Sequence, residues 1–78
     1  MADKRRTAAA SVLKKVGARI RQLRQERGLS QEGLAFDAGL AVTSIATIER
    51  GEANPTVAVL YAISRVLKVK VRDLVDDI

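Results

Sequence analysis

The sequence predicts an all-α fold of five short helices, and three observations carry that prediction. Apolar residues recur at helical spacing along most of the 78-residue chain. One Pro and five Gly divide the chain into short segments joined by tight turns. Strand-like alternation occurs only around residues 69–71, which is too short a run to start a sheet. A chain of this length is expected to form one domain, because two separate cores would each be too small to fold unaided.

The first helix is expected from about Ala8 or Val12 to Arg27, followed by Gly28 as the left-handed residue that ends it. Residues 1–11 form a basic segment that is either a flexible N-terminal arm or an extension of this helix. The folded domain proper is then expected at residues 12–78. One apolar stripe at helical spacing supports the first helix, namely Val12, Val16, Ile20 and Leu23.

Two short helices joined over residues 39–41 come next. Ser30 is a suitable N-cap for a helix over residues 31–38, and Gly39 ends it. A third helix is expected over about residues 42–50, with Ile45 and Ile48 directed inward. The spacing leaves one face of this third helix outward, formed by Val42, Thr43, Ala46, Thr47 and Arg50. Since the major groove of DNA is about 12 Å wide and admits one helix, this face is the candidate reading surface.

The last two helices complete the predicted core. Pro55 marks a turn, and Thr56 is placed to cap a fourth helix that runs to about Lys68. A short fifth helix over about residues 71–77 closes the domain. The fourth helix carries the largest apolar patch, formed by Val59, Leu60, Ile63, Val66 and Leu67.

Charge and composition narrow the classes of function. Residues 1–27 hold nine Lys or Arg and two acidic residues, a net charge of +7, while the whole chain carries +5. This asymmetry indicates a polyanionic partner, although a solvated basic helix face gives the same count. There is no Cys and no His, so we expect no metal site, no cofactor and no enzymatic activity. The longest apolar run has seven residues, far short of a membrane span, and no secretory segment follows the basic start, so a cytoplasmic protein is expected.

Several spaced motifs resemble those of the Xre/Cro-type helix-turn-helix family of DNA-binding regulators. That family includes phage repressors, Cro proteins and the controller proteins of restriction-modification systems, and the basic lead-in is most similar to the controller proteins. The motifs are Ile20-Arg21-Gln22-Leu23-Arg24, Gly28-Leu29-Ser30-Gln31-Glu32, Leu34-Ala35, Gly39-Leu40, Ile45, Ile48-Glu49-Arg50-Gly51, Asn54-Pro55-Thr56 and Val71-Arg72-Asp73-Leu74. The resemblance implies a lambda-repressor-like DNA-binding domain with its helix-turn-helix at the second and third helices.

The resemblance also implies roles for individual residues. Gln31 is expected to donate to a DNA phosphate, and its alternative is an ordinary exposed side chain. Arg24 and Glu49 are expected to form a structural ion pair. The base-reading positions are Val42, Thr43, Ser44 and Thr47, of which none matches the Arg, Gln, Asn or Lys that the family often places there. Phosphate contacts are expected from Arg50 and Arg21, although Arg50 also fits a solvated cation at a helix end.

A homodimer built from the C-terminal helices is implied as well, bound to a palindromic operator. Its candidate interface residues are Tyr61, Arg65, Val69, Val71, Leu74, Val75 and Ile78, with closure of the monomer core as the alternative for Leu74 and Val75. The expected function is an autoregulatory transcriptional regulator that blocks or recruits RNA polymerase. The alternatives are the antitoxin of a toxin-antitoxin pair, and a protein-interaction module that has kept the fold without DNA binding.

Overall fold

The structure, a computed structural model, describes the backbone of residues 4–76 and the side chains of residues 8–76. The described chain is built from five helices: α1 (Lys4–Glu26), α2 (Gln31–Ala38), α3 (Val42–Glu49), α4 (Val57–Leu67) and α5 (Val71–Val75). No strand occurs between residues 4 and 76. The prediction of an all-α fold is confirmed. The third and fifth helices end slightly earlier than expected.

The first helix starts earlier than the apolar stripe indicated. It is continuous from Lys4, so the described part of residues 1–11 belongs to the same helix. Val12 is 36% exposed and therefore lies at the exposed end of the apolar stripe, outside the buried core. Along the described part of α1, burial in the core begins only at Val16.

Local side-chain and backbone signals set most of the other helix ends. The Ser30 hydroxyl accepts a hydrogen bond from the backbone N–H of Gly33 at 2.9 Å, and the Thr56 hydroxyl accepts one from that of Val59 at 3.1 Å. Gly39 ends α2 with φ of 70°, a conformation that glycine adopts without steric penalty. Lys68 ends α4 with φ of 60°, which the sequence did not indicate.

One hydrophobic core connects all five helices. Its buried apolar residues are Val16, Ile20, Leu23, Leu34, Ala35, Ile45, Ile48, Leu60, Ile63, Leu67 and Leu74. Helix α3 packs on α1 and α2, whereas α5 packs on α1 and α4. No helix among the described residues is both long enough and apolar enough to cross a bilayer.

The C-terminal helix closes the core of the single chain. Leu74 is only 1% exposed, so its side chain fills the core of the single chain, which is the alternative that the sequence leaves open for it. The Arg19 Nε atom donates to the backbone carbonyl of Asp73 at 3.2 Å and fastens α5 to α1. Arg27 likewise donates to the carbonyl of Leu67, which joins the end of α1 to the end of α4.

Candidate nucleic-acid interface

A buried ion pair fixes the helix-turn-helix to the first helix. Arg24 donates from Nε to one carboxylate oxygen of Glu49 at 2.6 Å and from a terminal nitrogen to the other at 3.0 Å. Its remaining terminal nitrogen donates to the carbonyl of Leu29 at 2.8 Å. The two side chains are only 10% and 3% exposed. Arg24 and Glu49 thus form a bidentate ion pair that joins α1 to the end of α3.

Gln31 belongs to the same hydrogen-bond network. Its Nε2 donates to Glu49 at 3.1 Å, and the residue is half-buried at the start of α2. The side-chain amide has two hydrogens and uses one of them in this bond, so the second is available to an external acceptor. The hydrogen bonds that Arg24 donates to Glu49, together with the negative charge of that carboxylate, raise the pKa of Arg24 above the ordinary value, while burial opposes that shift. The network therefore holds Gln31 in place beside the ion pair.

Helices α1 and α3 approach so closely at Gly17 that no side-chain atom fits between their backbones. A Cβ placed on Gly17 would lie 2.3 Å from the carbonyl oxygen of Ile48 and 2.7 Å from that of Glu49. Gly51, which follows α3 with φ of 74°, sits similarly close to the backbone of Lys14. Only a glycine at position 17 permits this contact. The inner side of α3 is consequently fixed against α1, and its opposite side faces solvent.

The outer face of α3 is defined here as Val42, Thr43, Ala46 and Thr47. It is accessible, and it carries no charged or amide side chain. Val42 is 38% exposed, Thr43 is exposed, and Ala46 and Thr47 are half-buried. The Thr47 hydroxyl donates within its own helix, 3.0 Å from the carbonyl oxygens of both Thr43 and Ser44. Ser44 lies half-buried at the border of this face. The sequence predicts that these residues share one helix, and the structure agrees. The sequence does not indicate that the Thr47 hydroxyl forms hydrogen bonds within that helix.

The two arginines expected to contact phosphates, Arg50 and Arg21, are both exposed. Arg50 directly follows α3 and pairs with Glu52 at 2.9 Å, with both side chains more than half exposed. Such an exposed pair stabilises by at most about 1 kcal/mol, so the guanidinium can exchange Glu52 for a phosphate. Arg21 is exposed on α1, one helical turn from both Gly17 and Arg24, on the side of α1 that meets α3.

The residues predicted to form the dimer interface differ in how exposed they are. Tyr61 is 54% exposed, and the Arg65 guanidinium lies 5.9 Å from the centre of its ring. Val75 is 38% exposed, while Val69 and Val71 are half-buried against the core. Ile78 lies outside the described residues. Sequence reasoning missed Val57, which is 72% exposed and lies one turn before Tyr61 on the same face of α4.

The pattern of helices and contacts matches a known family. The family model described as Helix-turn-helix (HTH_3) matches residues 20–74, which include α2, α3 and the pair formed by Arg24 and Glu49. The chain belongs to the HTH_3 helix-turn-helix family. The resemblance to Xre/Cro-type proteins is therefore confirmed, as is the lambda-repressor-like fold. HTH_3 proteins are DNA-binding transcriptional regulators and not enzymes.

Solved structures of HTH_3 relatives agree with this fold. The restriction-modification controller protein C.AhdI from Aeromonas hydrophila is 39% identical and superposes with a TM-score of 0.78, over 80% of this chain and 94% of that one. The biofilm regulator SinR, solved in complex with DNA, is 42% identical with a TM-score of 0.76, over 78% of this chain and 98% of that one.

A curated relative is longer than this chain. The transcriptional regulator SinR of Bacillus subtilis is 41% identical over 63 residues, which are 80% of this chain but 57% of the relative. The similarity to that relative therefore extends over little more than half of its length.

Proposed function

We propose that this chain is a cytoplasmic transcriptional regulator that binds a palindromic operator as a homodimer and inserts α3 into the major groove. The observation that supports the proposal is that α3 is packed against α1 on one side and accessible to solvent on the other. Its inner side is held against α1 by the ion pair of Arg24 with Glu49 and by the contact at Gly17. Its outer face is accessible along its length. A solved relative of this chain, SinR, is in complex with DNA.

Phosphate contacts are proposed for Gln31, Arg50 and Arg21. Gln31 keeps one amide hydrogen for an acceptor, and its position is set by Glu49. Arg50, directly after α3, and Arg21, on α1, are exposed cations. Contacts of this kind fix the orientation of a protein on the duplex and supply affinity that does not depend on sequence.

The proposed homodimer uses the exposed face of α4. Val57, Tyr61 and Arg65 recur every four residues and present one accessible stripe, to which Val75 of α5 adds a further exposed apolar side chain. A two-fold axis through this region would place two α3 helices in successive major grooves about 34 Å apart. Because dimerisation and DNA binding are coupled, operator occupancy rises steeply with protein level, which suits an autoregulatory protein that blocks or recruits RNA polymerase.

A protein partner is the second candidate function, and one observation favours it. Phe36 is 86% exposed on α2, and aromatic side chains are enriched at protein–protein interfaces relative to the rest of the surface. A surface of this kind suits the two alternatives in which another protein is bound, the antitoxin and the protein-interaction module.

Salt dependence distinguishes these functions. Binding of the full chain to a fluorescent duplex, followed by anisotropy, is expected to show two chains per duplex. Affinity should fall roughly a hundredfold between about 50 and about 200 mM salt, as the neutralisation of about four phosphates by Arg21 and Arg50 of two chains implies.

Two results would contradict DNA binding. Negligible duplex affinity at the lowest salt would favour the protein-interaction module, and so would an affinity that does not respond to salt. One chain per duplex would contradict the homodimer alone and leave DNA binding in place.

A further inference from the structure

The outer face of α3 presents methyl groups, and its hydrogen-bonding side chains are limited to the hydroxyls of Thr43 and Thr47. Val42, Thr43, Ala46 and Thr47 all end in at least one methyl, and none carries an amide or a charge. No side chain on this face can make the paired hydrogen bonds with which Arg, Asn or Gln recognises guanine or adenine. Discrimination between bases must therefore come mainly from apolar contact and from DNA shape.

The hydrogen bonds of the Thr47 hydroxyl within α3 make this face more apolar. Its hydroxyl hydrogen is shared between the carbonyl oxygens of Thr43 and Ser44, both at 3.0 Å. The γ-methyl is thus the part of the side chain that is not tied to the helix backbone. Arg50, the cation that follows α3 in the chain, lies beyond the end of the helix and donates from Nε to Glu52 at 2.9 Å. The centre of the face is left with methyl groups as its main means of contact.

We propose that α3 recognises the C5-methyl group of pyrimidines, so that 5-methylcytosine replaces thymine at the contacted positions while unmodified cytosine does not. Thymine displays its C5-methyl in the major groove, and cytosine has only a hydrogen there. Methylation at C5 of cytosine puts the same group at the same ring position. This inference rests on the proposed function and makes operator binding sensitive to cytosine methylation.

The remaining difference between thymine and 5-methylcytosine lies at C4. Thymine has an oxygen acceptor there and cytosine an amino donor. A side chain that forms a hydrogen bond with one of them rejects the other, because a polar group is then left unpaired. Methyl groups form no such bond and impose no such penalty. Burying one methyl changes affinity by roughly fourfold, and by roughly fifteenfold when both half-sites of a dimer change together.

The first test uses modified duplexes. Full-length protein selects a duplex from a randomised pool, and each thymine of the enriched duplex is then replaced by deoxyuridine, which removes only the methyl. At contacted positions we expect affinity to fall roughly fourfold. Replacing the same T·A pair by C·G should lower affinity at least as much, and 5-methylcytosine paired with G should restore most of it.

Two variants of one residue form a matched pair for the second test. Thr47→Val keeps a methyl and removes the hydroxyl, and we expect it to retain the preference for thymine over deoxyuridine. Thr47→Ser keeps the hydroxyl and removes the methyl, and we expect it to lose that preference at one position per half-site. Circular dichroism melts confirm that both variants fold. The opposite order of effects would show that the hydroxyl reads the base and would overturn the inference.

The outcomes separate this inference from the proposed function. An enriched duplex that tolerates deoxyuridine at every thymine would overturn methyl recognition alone and leave sequence-specific binding intact. An enriched duplex on which 5-methylcytosine binds no better than cytosine would do the same. Failure to enrich any duplex would overturn the proposed function, and methyl recognition with it.

Discussion

Arg24→Ala is expected to lower the free energy of unfolding by about 3–5 kcal/mol, because it leaves a buried carboxylate without its partner. The Glu49 side chain is only 3% exposed and receives two hydrogen bonds from Arg24. The carbonyl of Leu29 loses a donor in the same variant. A loss of this size is a large fraction of the total stability of a small domain. Thermal and urea unfolding followed by circular dichroism measure it.

Arg21→Ala is the matched control for this variant. Arg21 lies on the same helix, one turn earlier, and is exposed, so its removal should change stability by no more than about 0.5 kcal/mol. Equal melting temperatures for the two variants would contradict the structural role of the pair. Replacing both partners with apolar residues, as in Arg24→Met with Glu49→Leu, should recover much of the loss, since no buried charge then remains unpaired.

Gly17→Ala is expected to destabilise the fold by at least about 1–3 kcal/mol, although alanine favours a helix more than glycine does. The added methyl would lie 2.3 Å from the carbonyl oxygen of Ile48. That atom belongs to the backbone of α3 and cannot move without shifting the helix. Urea unfolding measures the change in stability, and the same sample tests whether α3 still binds a duplex.

Gly33→Ala isolates the effect of this contact. Both glycines lie inside helices with ordinary helical φ, so both variants gain the same helix propensity. The nearest neighbour of a Cβ at position 33 is the flexible Ser30 hydroxyl at 3.2 Å, which can shift slightly. We expect Gly33→Ala to be nearly neutral. A Gly17→Ala variant as stable as Gly33→Ala would show that α1 and α3 do not approach at backbone distance.

Features set by neighbouring residues were predictable from the sequence. Ser30 and Thr56 cap helices through hydrogen bonds to residues three positions away, and Gly39 ends α2 through its own backbone freedom. Such signals act within one helical turn, so the sequence carries them directly. The spacing of motifs then placed the helix-turn-helix correctly, because the joint between α2 and α3 is short.

Features that depend on distant contacts were not predictable in the same way. The residues around Gly17 do not indicate why a glycine is needed there, because the reason is its contact with the backbone of α3. The bond from Gln31 to Glu49 joins residues far apart in the chain. For Leu74 the sequence leaves both a dimer interface and the monomer core open, because it does not show how α5 folds back onto the core, where this side chain is buried. Such features follow from tertiary packing, which local patterns do not encode.

The role of the outer face of α3 is tested most directly by the ratio of affinities for an enriched duplex and for a scrambled duplex of the same composition. In Thr43→Ala with Thr47→Ala this ratio should fall by roughly two hundredfold, because two methyl contacts are lost in each half-site of the dimer, while binding to the scrambled duplex stays unchanged. Arg50→Ala should weaken binding to both duplexes alike, and more than Arg72→Ala, which removes an equal charge from α5. A ratio that falls in Arg50→Ala and is unchanged in the threonine variant would contradict base reading by α3.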